Sequence, residues 1–416
     1  MQNTDAALAP IHTEILVVGG GPAGLSLAAA LGHAGIGTIC IDRAPVEDHL
    51  ATAHDGRTTA IALGSKRLFE GIGAWQPLAE TASPIREIRT ADQHSPLFLH
   101  FDARDAGEQA FGWIVENRVM RRVLLDRIAL LDSVEHWAPA TLDELELTSS
   151  GVIATLEDGR RIQASLLCGA DGRHSPVRQW AGIETTGWRY QQKAIVCVVT
   201  HDKPHGQVAL EHFLPGGPFA VLPMNDDAEG RHRSSIVWTE KAEKADAYAA
   251  LDQANFDHEL TRRFGGYLGA VRQTGRRWVY PLELKHAHRY TAPRTALIGE
   301  AAHVIHPIAG QGLNMGFRDV AALVECLADQ RRLGLDPGAP EVLRRFQRMR
   351  MRDNILLSAV TDVLDRLFSN DIGPIRRVRQ LGLGAVDRLP PLKRFFMQRA
   401  MGVGPDQPRL VRGERL

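Results

Sequence analysis

The sequence predicts an α/β fold that opens on a βαβ unit, continues through a strand-rich middle and ends in helices. Three observations predict it. A run of glycines separates an apolar strand from an Ala/Leu-rich helix near the N-terminus. Short β-like runs, broken by turn residues, fill the middle of the chain. From Asn314 onward, apolar residues recur at helical spacing.

The elements follow in order. Glu14 to Val18 (EILVV) reads as a buried strand, Gly19 to Gly24 as a tight turn, Ala23 to His33 as a helix and Gly35 to Asp42 (GIGTICID) as a second buried strand. Parallel strands covered on both faces read as such continuous apolar runs. Val152 to Leu156 and Ile162 to Ala170 predict a strand pair around the Asp158-Gly159 turn. Lys193 to Thr200 and Arg233 to Trp238 are β-like. Ala296 to Gly299 is a short buried strand before a His-rich segment. Val320, Leu323, Val324 and Leu327 mark a helix that the polar pair Asp329 and Gln330 closes, and another helix runs from Leu343 to Leu367. From Pro374 to Leu416 there are ten Lys/Arg against three Asp/Glu, with Phe395, Phe396, Met397 and Met401 among them. Such a stretch suits a docked helical tail, or a surface for an anionic membrane or a partner protein.

Composition excludes several classes. The 416 residues are 44% hydrophobic, ample for a large core. Lys+Arg and Asp+Glu both number 49, so no basic excess favours nucleic acid. Cys40, Cys168, Cys197 and Cys326 are scattered without a Cys-x-x-Cys pair, which argues against disulfides, zinc and dithiol chemistry and favours a reducing cytoplasm. Asp5 and the lack of a basic leading segment argue against a signal peptide. Ile15 to Ile41 carries no Asp, Glu, Lys or Arg, yet two glycine clusters break it, so a strand–turn–helix–strand reads it better than a membrane span.

Chemistry concentrates in five segments. Gly19-Gly20-Gly21-Pro22-Ala23-Gly24 matches Gly-x-Gly-x-x-Gly: the first glycine makes the turn, the second admits a pyrophosphate and the third lets helix pack on strand. The helix N-terminus offers free N–H groups and a positive dipole end. Asp42, at the end of the next strand and beside Arg43, is placed for ribose hydroxyls. Arg57 follows that strand in HDGRTTAIALGS. Asp171-Gly172 follows the strand LLCGA, and Gly299-Glu300 follows ALI. A longer run, His306-Pro307-Ile308-Ala309-Gly310-Gln311-Gly312-Leu313-Asn314-Met315-Gly316-Phe317-Arg318-Asp319, opens the later helix. Its Pro307, Gly310 and Gly312 let backbone run close to a flat ring, and N–H groups near Asn314 would favour an anionic reduced ring. His303 and His306 lack further ligands, so no metal is expected.

Together these segments resemble the flavoprotein aromatic hydroxylases of the p-hydroxybenzoate hydroxylase type. The run from His306 to Asp319, with GWRYQQKAIV, EHFLPGGPFAVLPM and Ala400-Met401-Gly402, resembles the ubiquinone-biosynthesis hydroxylases in particular, over Glu14 to Gly402. The resemblance implies a Rossmann-like FAD-binding domain (1–85, 110–185 and 285–345) interleaved with a mixed-sheet substrate domain (86–109 and 186–284), and a helical C-terminal region (346–416). It implies FAD, with NAD(P)H as reductant near Asp171-Gly172. The FAD contacts would come from Gly19, Gly21, Pro22, Ala23, Gly24, Asp42, Arg43, Arg57, Arg118, Asp171, Gly172, Glu300, Pro307, Gly310, Gln311, Gly312, Leu313 and Asn314. Arg118 matches the family's helix near the FAD phosphates. Glu300 departs from the family pattern, which has aspartate there to bind the ribityl and ribose hydroxyls.

The implied reaction is hydroxylation of a polyprenylated phenol with O2, through a flavin C4a-hydroperoxide. The flavin carries that chemistry, so no side chain is assigned as catalytic. Phe213, Pro218, Phe219 and Leu222 are expected to line the substrate pocket. The implied partners are a ubiquinone-biosynthesis complex and the inner face of a membrane, touched peripherally through the basic C-terminal region. Two other readings compete: a flavin monooxygenase of a soluble aromatic, and a flavoprotein scaffold of a biosynthetic complex. No Trp-x-Trp motif supports a halogenase.

Overall fold

The computed structural model describes residues 9–51, 56–92, 98–307, 310–368 and 390–416. At its centre the strand Ile11–Val18 pairs in parallel with Arg161–Gly169 on one side and Thr38–Ile41 on the other. Thr295–Leu297 and Val134–Trp137 extend this parallel set at its two edges. Val152–Leu156 and Leu142–Leu147 join it antiparallel. The predicted βαβ unit is present, with the helix at Pro22–His33. That helix is buried on nearly every side because it packs between helices Asn117–Ile128 and Gln311–Arg332. Ala28, Ala29 and Ala30 are fully buried there, and their small side chains permit the close approach.

A second eight-stranded sheet has the order His303–Val304, Val271–Ala287, Thr185–His201, His232–Lys241, Gly217–Met224, Val208–Leu214, Glu87–Asp92, Phe98–Asp102. It is mixed, since Val208–Leu214 and Glu87–Asp92 run parallel whereas their neighbours run antiparallel. The β-like runs around residues 193–200 and 233–238 are the centres of longer strands, paired from Gln192↔Lys241 to His201↔His232. Helices Ala242–Ala249 and Gln253–Phe264 cover one face over a core of Phe219, Trp238, Phe256 and Phe264. The other face is turned toward a cavity shared with the first sheet. A small sheet of Thr58–Ala62, Gly112–Glu116 and Ser83–Ile85 closes one side.

The fold is therefore mixed α/β, with both sheets assembled from separated stretches of chain. The later helices are Gln311–Arg332, Pro340–Phe368 and Pro390–Met401. Of the basic run, residues 374–389 lie outside the described residues. No described helix is long and apolar enough to cross a membrane.

Candidate active site

The glycine turn behaves as its spacing requires. Gly19 has φ +112°, which favours glycine, and a Cβ on Gly24 would lie 1.8 Å from the Gly19 carbonyl oxygen. Gly21 differs: a Cβ there meets nothing within 4 Å. The space above it is the cavity, of about 510 Å3, which Gly21, Pro22 and Ala23 line. Gly21 caps the Pro22–His33 helix without any side-chain hydrogen bond, leaving first-turn N–H groups without intrahelical acceptors.

A second helix N-terminus borders the same cavity. Gly310, at φ +61°, caps Gln311–Arg332, again with no side-chain hydrogen bond. Pro307, Gly310, Gln311, Gly312 and Leu313 all line the cavity. Asn314 does not. Its Oδ1 accepts from the Ala62 N–H (2.9 Å) and the Ser65 hydroxyl (2.8 Å), and its Nδ2 donates to the carbonyls of Ala60 (2.7 Å) and Gly310 (3.1 Å). All four bonds an amide side chain readily makes are used within the protein. Expected among the FAD contacts, the Asn314 side chain instead clamps the helix start to the Thr58–Ala62 strand.

Asp42 stands beside the glycine turn. Its carboxylate accepts from the N–H groups of Gly20 (2.5 Å) and Ala44 (2.8 Å) and meets His49 Nε2 at 3.0 Å. Burial pushes this carboxyl up, but the hydrogen bonds from His49, Ala44 and Gly20 outweigh it and hold it below the ordinary range. Arg43 is exposed. Arg57 lines the cavity and lies over the Tyr280 ring at 5.0 Å. Arg118 does not line it: its half-exposed side chain faces Glu116 at 3.7 Å. One helical turn on, buried Arg121 lines the cavity, as does Asn117, which accepts from Thr59 Oγ1 at 2.6 Å. An i+3 step on the same helix is the signal that would have found Arg121.

Gly172 and Arg173 line the cavity too, whereas Asp171 sits behind them and accepts from the Val177 N–H at 3.0 Å. Burial raises the Asp171 carboxyl against the pull of Ser175 and Val177. Arg173 reaches the departing residue of the family pattern: its Nε lies 3.2 Å from Glu300 and its Nη1 3.6 Å from Glu283. The longer Glu300 side chain thus joins the Asp171-Gly172 turn to the Gly299-Glu300 turn at the cavity wall. Glu300 is about half exposed, and such pairs contribute little to stability. Glu300→Gln is expected to shift stability by less than about 1 kcal/mol, measured by thermal melting.

The backbone of that turn is held from beneath. Fully buried Asp319 accepts from the Gly299 N–H (3.1 Å), His303 Nε2 (2.6 Å), Arg350 Nε (2.9 Å) and Asn354 Nδ2 (3.0 Å). Burial pushes this carboxyl up, but His303 and Arg350 outweigh it and hold it well below the usual carboxylate range. His303 lines the cavity, and His286, its cross-strand partner, is pushed down to about 4 by burial and by His303. His306 is buried with its ring edge-on to Tyr190 at 5.1 Å. Sequence reasoning found Asp319 only as the last letter of a motif; Arg350 and Asn354, four residues apart on another helix, gave no signal.

The sheet face opposite the glycine turn supplies the rest of the lining. Pro218, Ala220 and Leu222 point into the cavity, with Glu211 across from Ala220. Phe219 points the other way, into the core with Trp238 and Phe264, because alternate residues of a strand face opposite sides. Phe213, cross-strand from Pro218, lies buried outside the lining. Of the four residues expected at a substrate pocket, Pro218 and Leu222 line this cavity and Phe213 and Phe219 do not.

The group to be held fits this wall. An open glycine, two uncapped helix N-termini and the cationic side chains of Arg57 and Arg121 suit an anionic dinucleotide with a flat ring. Comparison with known proteins agrees. A family profile described as FAD binding domain matches residues 12–335. The chain is 48% identical over 403 residues to the ubiquinone hydroxylase UbiL of Rhodospirillum rubrum, spanning 96% of this chain and 92% of that protein. It is 34% identical to the 3-demethoxyubiquinol 3-hydroxylase of Escherichia coli, spanning 94% and 99%. The solved p-nitrophenol 4-monooxygenase PnpA of Pseudomonas putida shares the fold, with a TM-score of 0.77 at 18% identity over 94% of this chain and 98% of that one.

Proposed function

Because the chain belongs to the FAD-dependent hydroxylases of ubiquinone biosynthesis, we propose that its cavity holds FAD along the glycine-turn wall and the ring of a polyprenylated phenol along the opposite sheet. The enzyme is a flavoprotein monooxygenase that uses O2 on a phenolic ring. The observation that carries the placement is the continuity of one cavity from Gly21 through Gly312 to Leu222.

When bound, FAD supplies the redox and oxygen chemistry; the protein binds, orients and excludes water. In this reading the N–H groups after Gly21, with Arg57 and Arg121, receive the pyrophosphate. The N–H groups after Gly310 face the ring and favour negative charge there. Arg173 and Glu300 border the ribityl side, with NAD(P)H as the reductant. The apolar wall of Ala209, Pro218, Ala220 and Leu222 keeps water from the phenol. The working partners in this proposal are other proteins of the pathway and a membrane that stores the prenylated substrate. The discontinuous division at residues 1–85, 110–185 and 285–345 against 86–109 and 186–284 separates the two walls.

The test is deletion of the gene and the mass of the quinone intermediate that accumulates; unchanged ubiquinone would overturn the reading. With purified enzyme, NAD(P)H oxidation stimulated by soluble phenols and not by prenylated ones would favour a soluble substrate. Ala220→Trp is expected to leave FAD in place and cut substrate-stimulated turnover by about tenfold or more, since an indole would occupy ring space. Flavin content and steady-state rates measure both.

A further inference from the structure

Glu211 stands in an apolar stretch of the second sheet. Alternation along the strand Val208–Leu214 turns Ala209 and Glu211 to one face, the face that borders the cavity. Ala220 is the cross-strand partner of Glu211, Val237 lies beyond Ala220, and Val196 beyond Val237. The half-buried carboxylate therefore ends a row of three apolar residues, all of which line the cavity. Side chains directly opposed across two strands start about 4.5–5.5 Å apart. The single methyl of Ala220 leaves most of that space open, so a flat ring can lie over it with its rim at the carboxylate.

Among the described residues, three acids line the cavity. Glu283 and Glu300 both stand at Arg173, 3.6 and 3.2 Å from it, beside the Gly299 turn. Glu211 is remote from that pair. Three strands lie between its own and that of Glu283, which makes about 19 Å of sheet at ordinary strand spacing. A carboxylate set in an apolar wall loses hydration, and a hydrogen bond from a bound ligand offsets that cost. The donor that a phenolic ring brings is its hydroxyl. An ionised carboxylate only accepts, so the two are complementary.

We infer that Glu211 accepts the hydrogen bond of the substrate's ring hydroxyl, with the ring over Ala220, and so sets which edge of the ring is turned toward the glycine-turn wall. Glu211 is then a specificity-determining residue: it touches the substrate, and the oxygen chemistry stays with the flavin. The inference rests on the phenol reading of the cavity.

The experiment titrates the full FAD-loaded chain, without reductant, with a phenol carrying one isoprene unit and with the same prenylated ring lacking its hydroxyl. Flavin absorbance reads the binding. The wild type is expected to prefer the phenol about tenfold or more, the size of a hydrogen bond to a charged acceptor. Glu211→Leu is expected to cut that preference to about threefold or less by weakening the phenol alone, with flavin content and melting temperature unchanged. Glu211→Gln keeps an oxygen that accepts but loses the charge, and should lower the preference about threefold. It carries the comparison should Glu211→Leu lose its FAD. With reductant and O2, Glu211→Leu should release more H2O2 for each ring hydroxylated, since a ring not held by its hydroxyl turns in the cavity. A purely structural role would weaken both ligands alike and leave the preference at its wild-type value. That value in both variants, or a wild type without preference, overturns the Glu211 role and leaves the phenol reading standing. A wild type that binds neither ring strikes the phenol reading and this inference with it.

Discussion

Gly21→Val is expected to yield a folded protein that no longer retains FAD. The backbone at Gly21 has φ −73°, open to any residue, and no neighbour lies within 4 Å of a built Cβ. A Cβ at this position is therefore free of clash in the protein itself. The methyl groups of a valine would stand where a pyrophosphate has to approach the helix N-terminus, and a displaced phosphate loses several backbone hydrogen bonds together. Loss of affinity on the order of 100-fold or more is expected, about 2.7 kcal/mol or above. The check is flavin absorbance of the purified variant beside its melting curve; stoichiometric FAD in Gly21→Val would refute the placement. Gly24→Val is the contrast, since its Cβ would sit 1.8 Å from the Gly19 carbonyl oxygen and the loss there is of folding. The Gly21 variant also separates catalyst from scaffold: an enzyme loses pathway flux with its FAD, and a scaffold keeps it.

Asp319→Ala is expected to destabilise the fold by roughly 3–5 kcal/mol, because it takes the fully buried carboxylate from the Arg350 Nε and leaves that buried guanidinium only the partly exposed Asp353. The same change removes the acceptor of the Gly299 N–H, so the turn that carries Glu300 to the cavity should loosen. Denaturant melts measure the first effect. A paired Arg350→Met substitution should recover part of it, since removing both charges costs less than leaving one. The dependence on pH has a definite sign. The folded carboxyl lies below its unfolded value, so its contribution is complete above about pH 5 and fades as acid protonates it. Asp319→Ala should accordingly flatten the acid limb of the stability profile.

Steric rules made much of this site legible in the sequence. Gly19 makes the turn and Gly24 the close packing that their spacing implies, Gly21 stands open to the cavity, and the buried strands announce themselves as apolar runs. Direction was harder to read. Phe213, Pro218, Phe219 and Leu222 are all expected at the pocket, yet strand alternation sends Phe219 to the far core while Pro218 and Leu222 stay at the cavity. The family match marks Arg118, whereas Arg121 lines the cavity, because a motif marks a helix without saying which of its faces looks inward. Asn314 is expected among the FAD contacts, whereas its side-chain partners Ala60, Ala62 and Ser65 lie some 250 positions earlier. The Thr58–Ala62, Gly112–Glu116 and Ser83–Ile85 strands have three to five residues, too few for an alternating pattern to stand out.

The Asn314 clamp also constrains how the enzyme is made. Its bond to Ala62 spans 252 residues, and Thr295–Leu297 completes a sheet begun by Ile11–Val18. A nascent chain emerging from the ribosome has its glycine turn long before it has the helix that faces it. Contacts so distant in sequence form late and slowly. Flavin loading thus belongs to the end of synthesis, and the half-built cavity, with its apolar sheet uncovered, is the stage at which the chain most needs protection from aggregation.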